Sequence, residues 1–67
     1  MKTVTLNGQS MRIDADCTLA DLVASLDVAP QTLATAVNGE FVPREARAQV
    51  RLNAGDDVFT FQPITGG

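Results

Sequence analysis

Sixty-seven residues with a formal net charge of −3 make one small domain at most. One cysteine and no histidine exclude a disulfide framework and a closed zinc or iron–sulfur site. The five basic residues (Lys2, Arg12, Arg44, Arg47 and Arg51) do not cluster with aromatics, which argues against nucleic acid and leaves a mildly acidic surface suited to a basic protein partner.

From the N-terminus, Val4 and Leu6 alternate with Thr3 and Thr5, the period of a half-buried strand. Asn7-Gly8 follows, a pair favoured where both central residues of a two-residue turn need positive φ. Met11 and Ile13 then alternate with Ser10 and Arg12 on a return strand. No apolar leader follows Met1-Lys2, and no run approaches the roughly 20 apolar residues that span a bilayer. With one unpaired thiol, this predicts a cytoplasmic protein.

The period then changes. Leu19, Leu22, Val23 and Leu26 fall on one face of a helix of about ten residues. Thr18, or alternatively Asp16, caps its start, and Asp21 completes a short form of the capping box near the positive end of the helix dipole. Pro30 biases Ala29 away from helical angles and closes the segment. A second hairpin is predicted at Asn38-Gly39, between Ala34–Val37 and Phe41-Val42. Pro43 suits the first position of a short helical turn through "PREARA". Val50 and Leu52 read as a short extended piece, Asn53–Asp56 as a turn, and Val58–Gln62 as a last strand.

One amphipathic helix needs a sheet to cover it. The predicted fold is therefore an α+β roll: a mixed sheet of four or five strands with the main helix packed across one face. The first and last strands are expected as central neighbours, although periodicity alone does not impose that pairing. The expected organisation is a domain over residues 1–63 and a flexible Gly-Gly tail over 64–67.

Residues able to do ordinary catalysis are scarce. Cys17 lies next to a helix start, which lowers a thiol pKa in some proteins, but no base accompanies it, and a structural half-buried cysteine is the favoured reading. Asp14/Asp16 and Asp56/Asp57 read as turn chemistry rather than a metal or acid–base pair. There is no glycine-rich phosphate loop, and so small a domain has little room for a pocket of ~300 Å³ or more.

The terminus offers more. The last strand runs into Pro63, which stiffens the exit, and then Ile64, Thr65, Gly66 and Gly67. Five residues from Pro63 reach about 17 Å when extended. Glycines lack a Cβ, so a narrow channel admits their backbone, and the α-carboxylate at the tip is ionised at neutral pH. Such an arm is able to present an oxygen nucleophile inside another protein's active site.

Three stretches, "VNGEFVPRE", "LNAGDDV" and "FQPITGG", together with the length, make the whole chain resemble the ThiS family of sulfur carriers in thiamine thiazole biosynthesis. The resemblance implies the ubiquitin-like β-grasp fold. It implies that Gly67 carries the covalent adenylate and then a thiocarboxylate, and that Gly66 lets the tail thread into partners. The partners implied are a ThiF/MoeB-like adenylyltransferase, which consumes ATP, a persulfide sulfur donor and a ThiG-like thiazole synthase. The chain itself is then no enzyme and binds no cofactor. Counting back from the glycines, as in ubiquitin-like proteins, turns Val58 and Thr60 toward the helix and leaves Phe59 and Phe61, with Pro63 and Ile64, for partner docking. The opposite register buries the phenylalanines and exposes Thr60, a poor core residue. Arg44 and Glu45 read as solvated turn residues. Competing readings are the small subunit of molybdopterin synthase or another Gly-Gly sulfur carrier, a lysine-conjugated modifier, and an interaction module with an inert tail.

Overall fold

The computed structural model describes residues 1–26 and 32–61. Five strands form one mixed sheet in the order β2-β1-β5-β3-β4: β1 is Lys2–Leu6, β2 Gln9–Ile13, β3 Ala34–Val37, β4 Glu40–Val42 and β5 Asp57–Phe61. The helix α1, Leu19–Ala24, and a 3₁₀ segment, Arg44–Gln49, contribute to the core. β1 and β5 pair in parallel through Thr5↔Asp57 and Leu6↔Val58, and every other strand pair is antiparallel. This is the β-grasp arrangement, with the first and last strands side by side at the centre.

Both Asn-Gly pairs form the expected turns. Asn7 and Gly8 have φ of +51° and +86°, and Asn38 and Gly39 have +52° and +84°. That left-handed geometry costs a residue with a Cβ, so glycine at the second position is the economical choice. Two-residue turns also fix the register. Val4 faces Met11 across the first hairpin, and Ala36 faces Phe41 across the second.

The core lies between the sheet and α1. Val4, Ile13, Leu19, Leu22, Val23, Val42, Leu52 and Val58 are buried together. Thr18 rather than Asp16 caps the helix: its hydroxyl accepts from the Asp21 N–H and its own N–H donates to the Asp21 carboxylate, both at 3.1 Å. The helix is shorter than its apolar period suggests. Ser25 ends it by donating its N–H to the carbonyls of Asp21 and Leu22 and its hydroxyl to Leu22 at 2.6 Å, which leaves Leu26 half-buried just beyond. Ala29 and Pro30 lie outside the described residues. Pro43 stands one place ahead of the 3₁₀ segment, extended at φ −65° and ψ 155°, rather than inside it. Val50–Leu52 makes no strand, only a bridge from Arg51 to Thr18, with Leu19 N–H to Val50 O and Leu52 N–H to Cys17 O anchoring the helix start.

One interior feature has no counterpart in the hydrophobic pattern. Arg47 is 3% exposed. Its Nε donates to Thr35 Oγ1 at 3.1 Å, its Nη2 donates to the Leu33 carbonyl, and the Thr35 hydroxyl donates to Val42 O at 2.9 Å. This relay ties the 3₁₀ segment to β3 and β4. A buried charge is tolerated only when hydrogen-bonded in this way.

Candidate functional site: the open sheet face and the exit of β5

Strand parity sorts β5 into two sets. Val58 is fully buried and opposes Val37 and Leu6 on the helix side. Phe59 and Phe61 are 41% and 49% exposed on the other face. Thr60 shares the helix side with Val58 at the end of the strand, where it is half-buried. Its polarity is answered by Asn7: Thr60 N–H donates to Asn7 Oδ1, and Asn7 Nδ2 donates to Thr60 Oγ1, both at 3.0 Å.

The open face holds a third aromatic that the sequence reading did not single out. Phe41 on β4 is 67% exposed. It lies opposite Ala36 on β3, and Ala36 lies opposite Phe59 on β5. Phe41, Ala36 and Phe59 thus form one row across three strands, with Ala34 and Phe61 in the next row. All three phenylalanines of the chain fall on this face. The signal was present in the two-residue turn, because a hairpin closed at Asn38-Gly39 must set Phe41 beside Ala36. Toward β1 and β2 the same face turns polar, with Thr5 opposite both Ser10 and Asp57. The Thr5 hydroxyl donates to the Asp57 carboxylate.

The remaining candidates are separate from this face. Pro63, Ile64, Gly66 and Gly67 lie outside the described residues, as does the boundary predicted at residue 63. Arg44 and Glu45 are exposed. Asp56 accepts from the Asn53 N–H at 2.8 Å and from Asn38 Nδ2 at 3.0 Å, so it is turn chemistry. Asp14 forms a turn through its carbonyl, which accepts from the Cys17 N–H at 3.1 Å. Cys17 is half-buried, and its thiol pKa is raised rather than lowered: burial disfavours the thiolate, and Asp21 and Asp14 add negative charge that outweighs Lys2. The helix start therefore does not activate it. Among the described residues no group of three or more His, Cys, Asp or Glu is placed to hold a metal ion.

Space for small molecules exceeds the expectation from size. A cleft of about 370 Å³ opens between β2 and α1, lined by Met11, Ile13, Cys17 and Leu22 among others, and another of about 360 Å³ opens at the end of the β3-β4 hairpin. Both are open; the first brings Asp14 and Asp21 around Cys17, but burial and those two charges hold the thiol in its protonated form, so the group is no activated nucleophile.

A mixed five-stranded sheet wrapped on one helix, with a parallel central pair and a polar-to-aromatic open face, defines a ubiquitin-like β-grasp protein. The ThiS family model matches residues 4–67. The sulfur carrier protein ThiS of Escherichia coli (strain K12) is 38% identical over 64 residues, covering 96% of this chain and 97% of that one. The crystal structure of the thiamine biosynthesis protein ThiS from Geobacter metallireducens superposes with a TM-score of 0.83 at 28% identity, covering 97% of this chain and 99% of that one. The solution structure of a thiamine biosynthesis protein from the same organism gives 0.76 at 28% identity, over 97% and 87%. The chain belongs to the ThiS family. Among the described residues no helix is long and apolar enough to cross a membrane.

Proposed function

We infer that the chain is a sulfur carrier for thiazole synthesis in thiamine biosynthesis. The observation that carries this reading is the family match from residue 4 through Gly67, which takes in both the β-grasp body and the terminal glycines.

The proposed chemistry uses the α-carboxylate of Gly67. One carboxylate oxygen attacks the α-phosphorus of ATP in a ThiF/MoeB-like adenylyltransferase, and pyrophosphate leaves. The carbonyl carbon now bears AMP as leaving group. The terminal sulfur of a donor persulfide attacks that carbon and expels AMP, giving an acyl disulfide. A thiol of the donor system then attacks the donor-side sulfur, forms the disulfide and releases the thiocarboxylate on Gly67. A ThiG-like thiazole synthase takes up this sulfur. Gly66 supports the reading because it adds no side chain to the arm that has to enter each site. The open face supports it too: Phe59 and Phe61, with Phe41 in the same row as Phe59 across Ala36, offer the kind of aromatic anchor that dominates protein interfaces, and Pro63 and Ile64, which follow in sequence, are proposed as further partner contacts. The carrier supplies recognition and presentation; its partners supply the catalysis and bind the ATP. Such a cycle belongs in the cytoplasm, where the free thiol of Cys17 also fits.

The test is intact mass after incubation with ATP, the adenylyltransferase and a persulfide donor. The expected result is exchange of one terminal oxygen for sulfur, absent when Gly67 is deleted. An unchanged mass with demonstrably active partners, or thiazole formation sustained by the Gly67-deleted chain, overturns the reading. Attachment to another protein's lysine replaces it with the modifier reading.

A further inference from the structure

The parallel ladder between β1 and β5 ends early. Asn7 N–H donates to Val58 O at 2.8 Å, and there β1 turns away into Asn7-Gly8. β5 continues for three more described residues. The next β5 donor on that side is the Thr60 N–H, which has no β1 backbone left to meet. The Asn7 side chain takes the place of the missing strand: Oδ1 accepts the Thr60 N–H and Nδ2 donates to Thr60 Oγ1, each at 3.0 Å. On the other side β3 still pairs, with Ala34 opposite Phe61. Among the described residues, Asn7 is thus the last tie on the β1 side before the arm.

We propose that Asn7 is a positioning residue for sulfur loading, whose side-chain amide fixes the point from which the C-terminal arm leaves the sheet. The inference rests on the carrier reading of Gly67. Six residues follow Phe61, a reach of about 20 Å when extended. A carboxylate at the end of so long an arm is delivered to the adenylating site only as accurately as its base is held. Releasing Thr60 leaves the end of β5 held by β3 alone, through the Ala34–Phe61 pair, so its direction of exit is no longer fixed from both sides; misplacement of a reacting group by about 1 Å is enough to cost as much as 100-fold in rate. The docking face is untouched, because Phe41, Phe59 and Phe61 stay on their strands. The signature of a positioning role is therefore a loss in kcat with KM preserved.

A matched control exists within the fold. Asn38 holds the opposite end of β5 in the same manner: its Oδ1 accepts the Asp57 N–H at 2.9 Å and its Nδ2 donates to Asp56 Oδ1 at 3.0 Å. Asn38→Gly removes a comparable pair of bonds from a comparable turn, at the end of the strand remote from the arm.

The experiment is ATP–pyrophosphate exchange by a ThiF/MoeB-like adenylyltransferase against carrier concentration, for wild type, Asn7→Gly, Asn7→Asp and Asn38→Gly, with Tm measured for each. Glycine keeps the positive φ and deletes the amide; aspartate keeps an acceptor for the Thr60 N–H and accepts the Thr60 hydroxyl. The expected result is a kcat about tenfold lower for Asn7→Gly with KM within about twofold, recovery in Asn7→Asp, and no kcat loss in Asn38→Gly at a similar Tm. Faster hydrogen exchange at the Thr60 amide of Asn7→Gly is the structural counterpart. An unchanged kcat in Asn7→Gly, or an equal loss in Asn38→Gly, overturns the positioning role and leaves the carrier reading intact. No exchange with wild type, using an enzyme active on its own carrier, overturns the carrier reading itself and this inference with it. Should Asn7→Gly fail to fold, hydrogen exchange at the Thr60 amide of the wild type decides: slow exchange is expected from the bond to Asn7 Oδ1, and exchange as fast as at an unpaired strand end overturns the proposal.

Discussion

Replacing Phe61 with alanine separates docking from chemistry. The ring sits on the open face at the end of β5 and is 49% exposed. An aromatic side chain has roughly 200 Å² to bury, so about 100 Å² remains for a partner to cover. At about 25 cal/mol per Å² this corresponds to ~2.5 kcal/mol, or about 70-fold in affinity if the partner buries all of it. Incomplete burial lowers the figure, and about tenfold is a reasonable floor for a central aromatic anchor. The cost to folding has the same upper bound, since about half of the side chain is already covered in the isolated domain. The carboxylate of Gly67 is chemically unaltered, so Phe61→Ala is expected to raise KM with kcat unchanged. The assay is the initial rate of adenylation over a wide range of carrier concentration, with thermal melting to confirm that the variant is folded at the assay temperature. A KM within about twofold of wild type in a folded variant would refute the docking role of this face. A loss confined to kcat would equally refute it, because uniform binding contacts do not act on the chemical step alone.

Two further outcomes follow from local structure. Thr18→Ala removes one half of the capping box and is expected to lower unfolding free energy by about 0.5–2 kcal/mol in denaturant titration, with adenylation kinetics unaffected. Cys17 has a folded-state pKa raised above the value of an unfolded thiol, by burial first and by Asp21 and Asp14 next. Its contribution to stability is therefore complete below the unfolded thiol's pKa and is lost as pH rises through the folded one. Alkaline titration of stability should show this loss in wild type and not in Cys17→Ser, and reaction of the native thiol with an alkylating reagent should have its midpoint above the ordinary thiol range.

Much of the architecture was legible because short-range chemistry dictated it. The two Asn-Gly pairs locate both hairpins, since few other pairs accept positive φ twice in succession. The step from period two to the spacing Leu19, Leu22, Val23 marks the helix, and Thr18 with Asp21 marks its start. The helix end was not legible, because hydrophobic period reports which residues face the core and not where the hydrogen bonds stop. Leu26 keeps the period after Ser25 has already closed the last turn. The buried Arg47 was illegible for a related reason. Within "PREARA" it is an ordinary charged residue of an exposed turn, and only the tertiary approach of Thr35 and Leu33 supplies the partners that make its burial tolerable.

The site divides along the same line. Phe59 and Phe61 carry a parity argument on their own strand, but parity leaves two registers open until something decides which set faces the helix. Burying Val58 between Leu6 and Val37 decides it, because Val58 is the β5 residue that lies at the centre of the sheet with apolar neighbours on both sides. Thr60 then has to sit on the inner side, which propensity alone disfavours. What resolves the conflict is Asn7, 53 residues away in sequence, whose two hydrogen bonds engage the Thr60 N–H and its side-chain oxygen. The residue that appears in the sequence only as half of a turn signal is thus the one that lets β5 keep its aromatic residues outward. A local rule places Asn7 at the turn; a non-local contact makes that position matter to the strand that carries Gly67.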